Sequence, residues 1–220
     1  MSSMRGLIKA PHLMSVKGFL CMGLLLDAAK AWDALTSVTY RIEIGRRGKQ
    51  SSIELSFDLS DFPHLAGMQY AKDVSFSLRP AQYYGNKLVP VLLAGTMDDS
   101  LITKSQSWDR IEGRLKAIIN LQSTLEGEFV IAQFFPKRVP GFCNIQAKYV
   151  IKNSVSGEVF FVFLDEESGR HFCRSAFQSD DLDYTLNQPI LTVLEVTKES
   201  SGHTTLLRRH PSYKGPIQTT

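Results

Sequence analysis

From residue 128 onward the chain is a succession of short strand-like runs separated by turn chemistry, and this constrains the fold more than any other feature. The runs are EFVIAQFF (128–135), NIQAKYVIK (144–152), EVFFVFLD (158–165), HFCRSAFQ (171–178), ILTVLEV (190–196) and HTTLLRRH (203–210). Between them lie PKRVPG, NSVSG, EESG and SSG, rich in the residues that reverse a chain. Connections this short join antiparallel neighbours, so a β-meander is expected. The first half reads differently. Leu25, Ala28 or Ala29, Trp32 and Leu35 recur at helical spacing, and a helix is expected over roughly 16–35. DFPHLAGMQYAKD (61–73) opens a short helix over 61–72, with Asp61 as N-cap and Pro63 in the first turn. A helical stretch follows over 98–127, where Ile111, Leu115, Ile118, Gln122 and Leu125 form a mostly apolar stripe and Arg110, Arg114 and Lys116 leave it for solvent. In SVTYRIEIGRRGKQSSIELSFD (37–58), TYRIEI and SIELSF alternate around a basic tip, which predicts an extra N-terminal β-hairpin. Residues 73–97 are hard to place; the proline in LVPVLL argues against a central strand. The expected class is therefore α+β, with N-terminal helices on one face of an antiparallel sheet. Residues 1–15 are expected to be a flexible tail and 16–214 a single domain.

Composition narrows the functional classes. The chain has 220 residues, 43% hydrophobic and 21% charged, which fits an ordinary folded domain. A formal charge of +3 tolerates a nucleic-acid partner without demanding one. Three scattered cysteines, Cys21, Cys143 and Cys173, fit a reducing compartment, and a cytoplasmic location is expected. Lys17 followed by GFLCMGLLL (18–26) imitates a signal peptide, but Asp27 and Lys30 follow at once, which favours an amphipathic helix. No apolar run reaches the ~20 residues that span a bilayer, so no membrane association is expected. No P-loop, Rossmann fingerprint, HExxH or GxSxG occurs, and no cysteine pair has zinc spacing, so no cofactor or metal is expected.

The remaining candidates are isolated polar groups. His64 sits at the expected helix N-terminus, where the dipole disfavours imidazolium and lowers the pKa, leaving a neutral base near pH 7. It could equally be a packed histidine beside Phe62 and Leu65. Lys104, Ser105 and Ser107 precede a helix and could hold a phosphate, or the serines could simply cap. Alternation puts Lys148 on the sheet's open face, free to meet a phosphate or plain solvent. In CRSAF, the same parity groups Cys173, Ser175 and Phe177 and sets Arg174 opposite. Tyr184 and Gln188 lie in a connection, and a tyrosine there is commonly a packing residue. Arg46 and Arg47 in the GRRGK tip serve solubility or phosphate steering.

Taken in order, LLDAAKAWDAL, TYRIEIGRRGK, FPHLAGMQYAKD, ITKSQSWDRIEGRLKAIINL, IQAKYVI, VFFVFLDEE, CRSAF, YTLNQPILTVLEV and LLRRHPSYK resemble the phage-associated Barnase–EndoU–colicin–RelE-like nucleases, in the fourth of those groups, over roughly residues 24–214. The resemblance implies N-terminal helices followed by a four-stranded antiparallel sheet. It also implies a metal-independent, toxin-like endoribonuclease carried by phages or mobile elements, with RNA (tRNA among the candidates) as substrate and an immunity or antitoxin protein as partner. Under it, His64 becomes general base or acid, and Lys148 and Lys104 stabilise the phosphate. Ser175, Tyr184 and Gln188 orient the phosphate or read a base, with Ser105, Arg174, Arg46 and Arg47 as further RNA contacts. Three rivals stand: a binding module of the same fold that lost the chemistry, a phage accessory or assembly protein, and a different chemistry on a similar scaffold, which gains ground if His64 points into the core.

Overall fold

Four dipeptides, Arg47-Gly48, Ser156-Gly157, Ser168-Gly169 and Ser201-Gly202, have positive φ at both residues. That is the backbone of the two-residue hairpin turn whose twist matches the flanking strands. The turns close on the pairs Arg46↔Lys49, Val155↔Glu158, Glu167↔Arg170 and Ser200↔His203. They define most of the sheet in a computed structural model that describes residues 23–74, 85–97, 99–179 and 181–215. The expected tail over 1–15, the first turns of the helix expected at 16–35, and Cys21 lie outside the described residues.

In chain order the elements are α1 (Leu24–Leu35), β1 (Val38–Arg46), β2 (Lys49–Ser56), α2 (Phe62–Leu65), α3 (Leu88–Leu93), α4 (Trp108–Ile119), α5 (Leu121–Glu126), β3 (Val130–Gln133), β4 (Tyr149–Val155), β5 (Glu158–Glu167), β6 (Arg170–Gln178), β7 (Ile190–Ser200) and β8 (His203–Arg209). Short 3₁₀ helices cover Leu59–Asp61, Met68–Tyr70, Asp99–Lys104 and Pro136–Arg138. The strand order is β1-β2-β6-β5-β4-β3-β7-β8, and β1 also pairs with β7. Seven strands therefore close into a barrel, with β8 extending from β7.

The α+β class is as expected, but the open meander is not. β4, β5 and β6 are consecutive antiparallel neighbours, yet the β1–β2 hairpin is part of the barrel wall rather than an addition to a four-stranded sheet. The cause is β7, which pairs with β3 through Ile190 and Leu191 and with β1 from Thr192 to Ser200. The opposite seam is thin: β2 meets β6 in parallel through one pair, Leu55↔His171. Residues Lys49–Glu54 consequently run on past the start of β6.

The helices also depart from expectation in detail. The 61–72 helix is only the four residues of α2 plus a 3₁₀ turn, because Gly67 takes φ +80° between them. The 98–127 helix is broken: Asn120 folds its side-chain amide onto the Lys116 carbonyl at 2.9 Å and separates α4 from α5. LVPVLL is α3, where Pro90 falls among the first residues whose N–H has no helical partner. Residues 144–148 precede β4 rather than joining it.

Two apolar layers sandwich the central strands. One face of the sheet packs on the helices: Tyr40, Ile42, Leu55, Phe160 and Val162 meet Trp32, Phe62, Ile111 and Leu115. The other face carries Ala132, Phe134, Val150, Phe161, Phe163 and Tyr184. β5 is thus buried on both sides, so the face expected to be open is covered there. Trp32, fully buried, donates its indole N–H to the Asp58 carbonyl at 3.0 Å and packs edge-on to Phe57 with ring centroids 5.4 Å apart. This pins the chain just before α2, where the candidate site begins. Among the described residues no helix is long and apolar enough to cross a membrane.

Candidate active site

The segment that carries His64 is held from both sides. The Asp58 carboxylate accepts from the Ser60 amide at 2.8 Å and from its hydroxyl at 2.6 Å, starting the turn. Phe62, Pro63 and Leu65 are buried, which leaves His64 as the exposed member of α2. Gly67 then reverses the chain and brings Tyr70 against α4. Arg110 and Arg114 lie over the Tyr70 ring at 4.6 and 5.2 Å, a cation–π stack. Arg114 reaches on to the Ser175 hydroxyl at 3.4 Å and stands 5.9 Å from the Phe177 ring. The His64 ring bonds to the backbone of Arg174.

A bulge in β6 completes this patch. Leu164 pairs with Cys173 and Phe163 pairs with Ser175, so Arg174 is an extra residue without an opposite partner. The bulge breaks strand parity. Cys173 belongs to the helix-facing core, whereas Phe177 packs against the second apolar layer. Ser175 alternates with Ala176 and therefore lies on the Phe177 side. The expected grouping of Cys173 with Ser175 and Phe177 is corrected accordingly.

The electrostatics are one-sided. Among the described residues, Arg110, Arg114 and Arg174 have no carboxylate within ion-pair distance; the nearby Glu112 is taken by Lys116 at 3.1 Å. Burial, with Arg110 adding to it, holds Arg114 below the usual guanidinium range, though it stays charged. His64 is also held below its ordinary value, first by desolvation and then by Arg114 and Arg174, against a smaller opposing contribution from its bond to the Arg174 backbone. The direction agrees with the sequence expectation but the cause does not. His64 sits in the last turn of a four-residue helix, so the helix dipole is not what lowers it.

This shift links stability to pH. A histidine whose folded pKa lies below its unfolded value of about 6.5 is protonated first in the unfolded chain. Its contribution is complete above about pH 6.5, declines as pH falls through that value, and levels off below the folded pKa. His64→Gln is therefore expected to flatten part of the acid limb of stability. Urea midpoints on either side of about pH 6.5 check this, and parallel declines in both proteins would refute it.

Gly67 offers a second test of the geometry. A Cβ there would stand 3.0 Å from the Arg114 Cδ and 3.3 Å from the Tyr70 ring, on a backbone at φ +80°. Gly48 has a similar φ of +77° but open space around it. Gly48→Ala should cost only the left-handed strain, about 1 kcal/mol, and Gly67→Ala clearly more, because Arg114 must also move. Denaturant midpoints for the two variants make the comparison, and equal losses would mean that the close approach has no energetic weight.

The other sequence candidates lie elsewhere. Ser105 donates to Asp73 at 2.8 Å and accepts from the Ser107 amide at 3.1 Å, so it braces the start of α4, with Lys104 exposed beside it. Tyr184 is buried in edge-on contact with Phe161, Phe163 and Phe177 at 5.1–5.4 Å. Gln188 accepts from the Phe135 amide at 2.9 Å and donates to its carbonyl at 3.1 Å, a clamp between two loops. Lys148 pairs with Glu166 at 2.8 Å at the barrel end where Arg46 and Arg47 lie. Of the ten candidates, His64, Arg174 and Ser175 come together. Tyr70, Arg110 and Arg114 join them without having been singled out. The signal available for them was two arginines four residues apart on α4, with no acidic residue four positions from either.

Among the described residues no group of three or more His, Cys, Asp or Glu is placed to hold a metal. The model of a family described as phage-Barnase-EndoU-ColicinE5/D-RelE like nuclease4 matches residues 24–209. Comparison with curated proteins and with solved structures finds no match.

Proposed function

The chain belongs to that nuclease family, and from this premise we propose that it is a metal-independent endoribonuclease acting at the His64–Arg114–Ser175 patch. The observation that carries the proposal is an exposed imidazole, held below its ordinary pKa, beside the Arg114 and Arg174 guanidiniums, with Arg110 on the same Tyr70 ring as Arg114 and no carboxylate neutralising the three among the described residues. A phosphodiester supplies the missing anion. Arg114 and Arg174 take the non-bridging oxygens, and their charge matters most as the phosphorane gathers negative charge. His64 accepts the proton of the ribose 2′-OH as that oxygen bonds to phosphorus. The bond from phosphorus to the 5′-oxygen breaks, and the hydroxyl of Tyr70, whose ring lies under Arg114, gives that oxygen its proton. The products are a 2′,3′-cyclic phosphate and a 5′-hydroxyl, and the proton held by His64 returns to Tyr70 through solvent. Ser175 orients Arg114.

The domain over 16–214 is read as one catalytic unit working in the cytoplasm. The same reading makes the chain phage- or mobile-element-borne and gives it an immunity or antitoxin partner, whose acidic face would meet the arginine patch. The test is incubation of mixed tRNA and mRNA, and of DNA, with the intact chain in EDTA. Cyclic-phosphate ends from RNA alone are expected. Salt-sensitive RNA binding without product would select the binding module instead. Neither binding nor product would favour an assembly role.

A further inference from the structure

The overhang of β2 past β6 opens a cavity of about 670 Å³ at the barrel end where the β1–β2 turn lies. Its rim carries Arg46, Arg47, Lys49 and Lys148, and its wall includes Tyr149 and Gln133. Lys148 is partnered by Glu166, but Arg46, Arg47 and Lys49 have no carboxylate partner among the described residues. The cations available to a ligand are therefore gathered on one side, at the hairpin tip. The opposite wall is built differently. The Tyr149 ring is half-buried and lies 6.2 Å from the His171 ring. His171 is itself buried, with Nε2 3.5 Å from Glu166 and Nδ1 without a partner among the described residues. Lys148, Glu166 and His171 thus fix the surroundings of Tyr149 from behind. None of these groups takes part in the His64 chemistry.

We propose that this cavity is a nucleotide site, taking one nucleoside monophosphate unit with its base against Tyr149 and its phosphate on Arg46, Arg47 and Lys49. The volume lies in the range of small-ligand sites. An aromatic face for a base, a carboxamide that can both donate and accept at a base edge, and a cationic rim for phosphate are the three elements that nucleotide recognition combines. Inorganic phosphate would use only the last of these and leave most of the cavity unfilled. The unit comes either from a free nucleotide or from one residue of an RNA strand. The proposal does not depend on the cleavage reaction, since binding is measured without it.

The experiment is calorimetric titration of the intact chain with AMP, GMP, CMP and UMP, and separately with inorganic phosphate. Saturable binding of at least one nucleotide, and none of phosphate at the same concentrations, is expected. Tyr149→Ala should weaken it at least ~10-fold while Tyr149→Phe, which keeps the ring, retains it. The paired surface change Arg46→Ala/Arg47→Ala should weaken it comparably, and His64→Ala should bind like wild type. A short, uncleavable 2′-O-methyl RNA that displaces the nucleotide identifies the strand as the source, and failure to displace it identifies a free nucleotide. Absence of nucleotide binding to wild type overturns the proposal. So does binding that survives in Arg46→Ala/Arg47→Ala, or that is lost in His64→Ala. Thermal unfolding of each variant separates lost binding from lost fold. If Tyr149→Ala does not fold, the arginine pair, on an exposed turn, still decides.

Discussion

Replacing His64 by alanine is expected to lower the rate of RNA cleavage in EDTA by at least ~100-fold, the usual scale for loss of a positioned acid or base. RNA affinity should change little, because Arg114 and Arg174, to which the phosphate is assigned, remain. The combination matters more than either number. His64 is the exposed residue of α2, between Pro63 and Leu65, which are buried. Truncating it removes no core contact, and stability should stay within about 0.5 kcal/mol, as for surface positions generally. A rate loss therefore cannot be ascribed to unfolding. Single-turnover kinetics on a defined oligonucleotide, with end-group analysis of the product, gives the rate, and filter binding at several salt concentrations gives the affinity. Equal cutting by both proteins would move the chemistry away from His64. A drop in affinity as large as the drop in rate would make His64 a binding contact rather than a proton acceptor.

That the sequence offers His64 as a candidate, while half of its surroundings stay hidden in it, follows from what kinds of contact a sequence encodes. The strands after residue 128 were legible because alternation and turn chemistry are local. Runs 158–165, 171–178 and 203–210 fall within two residues of β5, β6 and β8 at each end. Barrel closure was not legible, because Val38↔Ser200 and Leu55↔His171 join residues far apart in sequence and no local period announces them. The bulge at Arg174 is a subtler failure. Strict alternation assigned Ser175 to the face of Cys173, and one inserted residue changed that relation. Arg110 and Arg114 were assigned to solvent by the helical wheel, which knows the apolar stripe of α4 but not that Tyr70 would be folded over its flank. Gly67 was visible in FPHLAGMQY, yet its meaning depends on the positive φ and on Arg114 lying 3.0 Å from where a Cβ would be. Alternation alone puts Lys148 on the open face of a strand, facing a phosphate or solvent. It precedes the strand, and Glu166, brought close by the β4–β5 pairing, takes its charge.

Arg114 allows the sharpest separation of function from stability. It is largely desolvated, stacked on Tyr70, and without a carboxylate among the described residues. Burying an uncompensated cation is costly, and exchanging buried charge for an apolar side chain of similar length is often neutral or stabilising. Arg114→Met is therefore expected to leave the melting temperature unchanged or raise it. The same substitution removes a donor aimed at the phosphorane, and cleavage should fall by ~100-fold or more. Arg114→Lys keeps the charge but not the planar fork and should recover only part of the rate. A third readout excludes a merely structural role. Arg114 helps to hold His64 below its ordinary pKa, so without it the His64 pKa rises. The acid limb of kcat/KM, which reports the free enzyme's base, must then shift to higher pH. A lower melting temperature with an unmoved pH profile would make Arg114 a packing residue. A stable, slow variant with a displaced acid limb would place it where the charge develops.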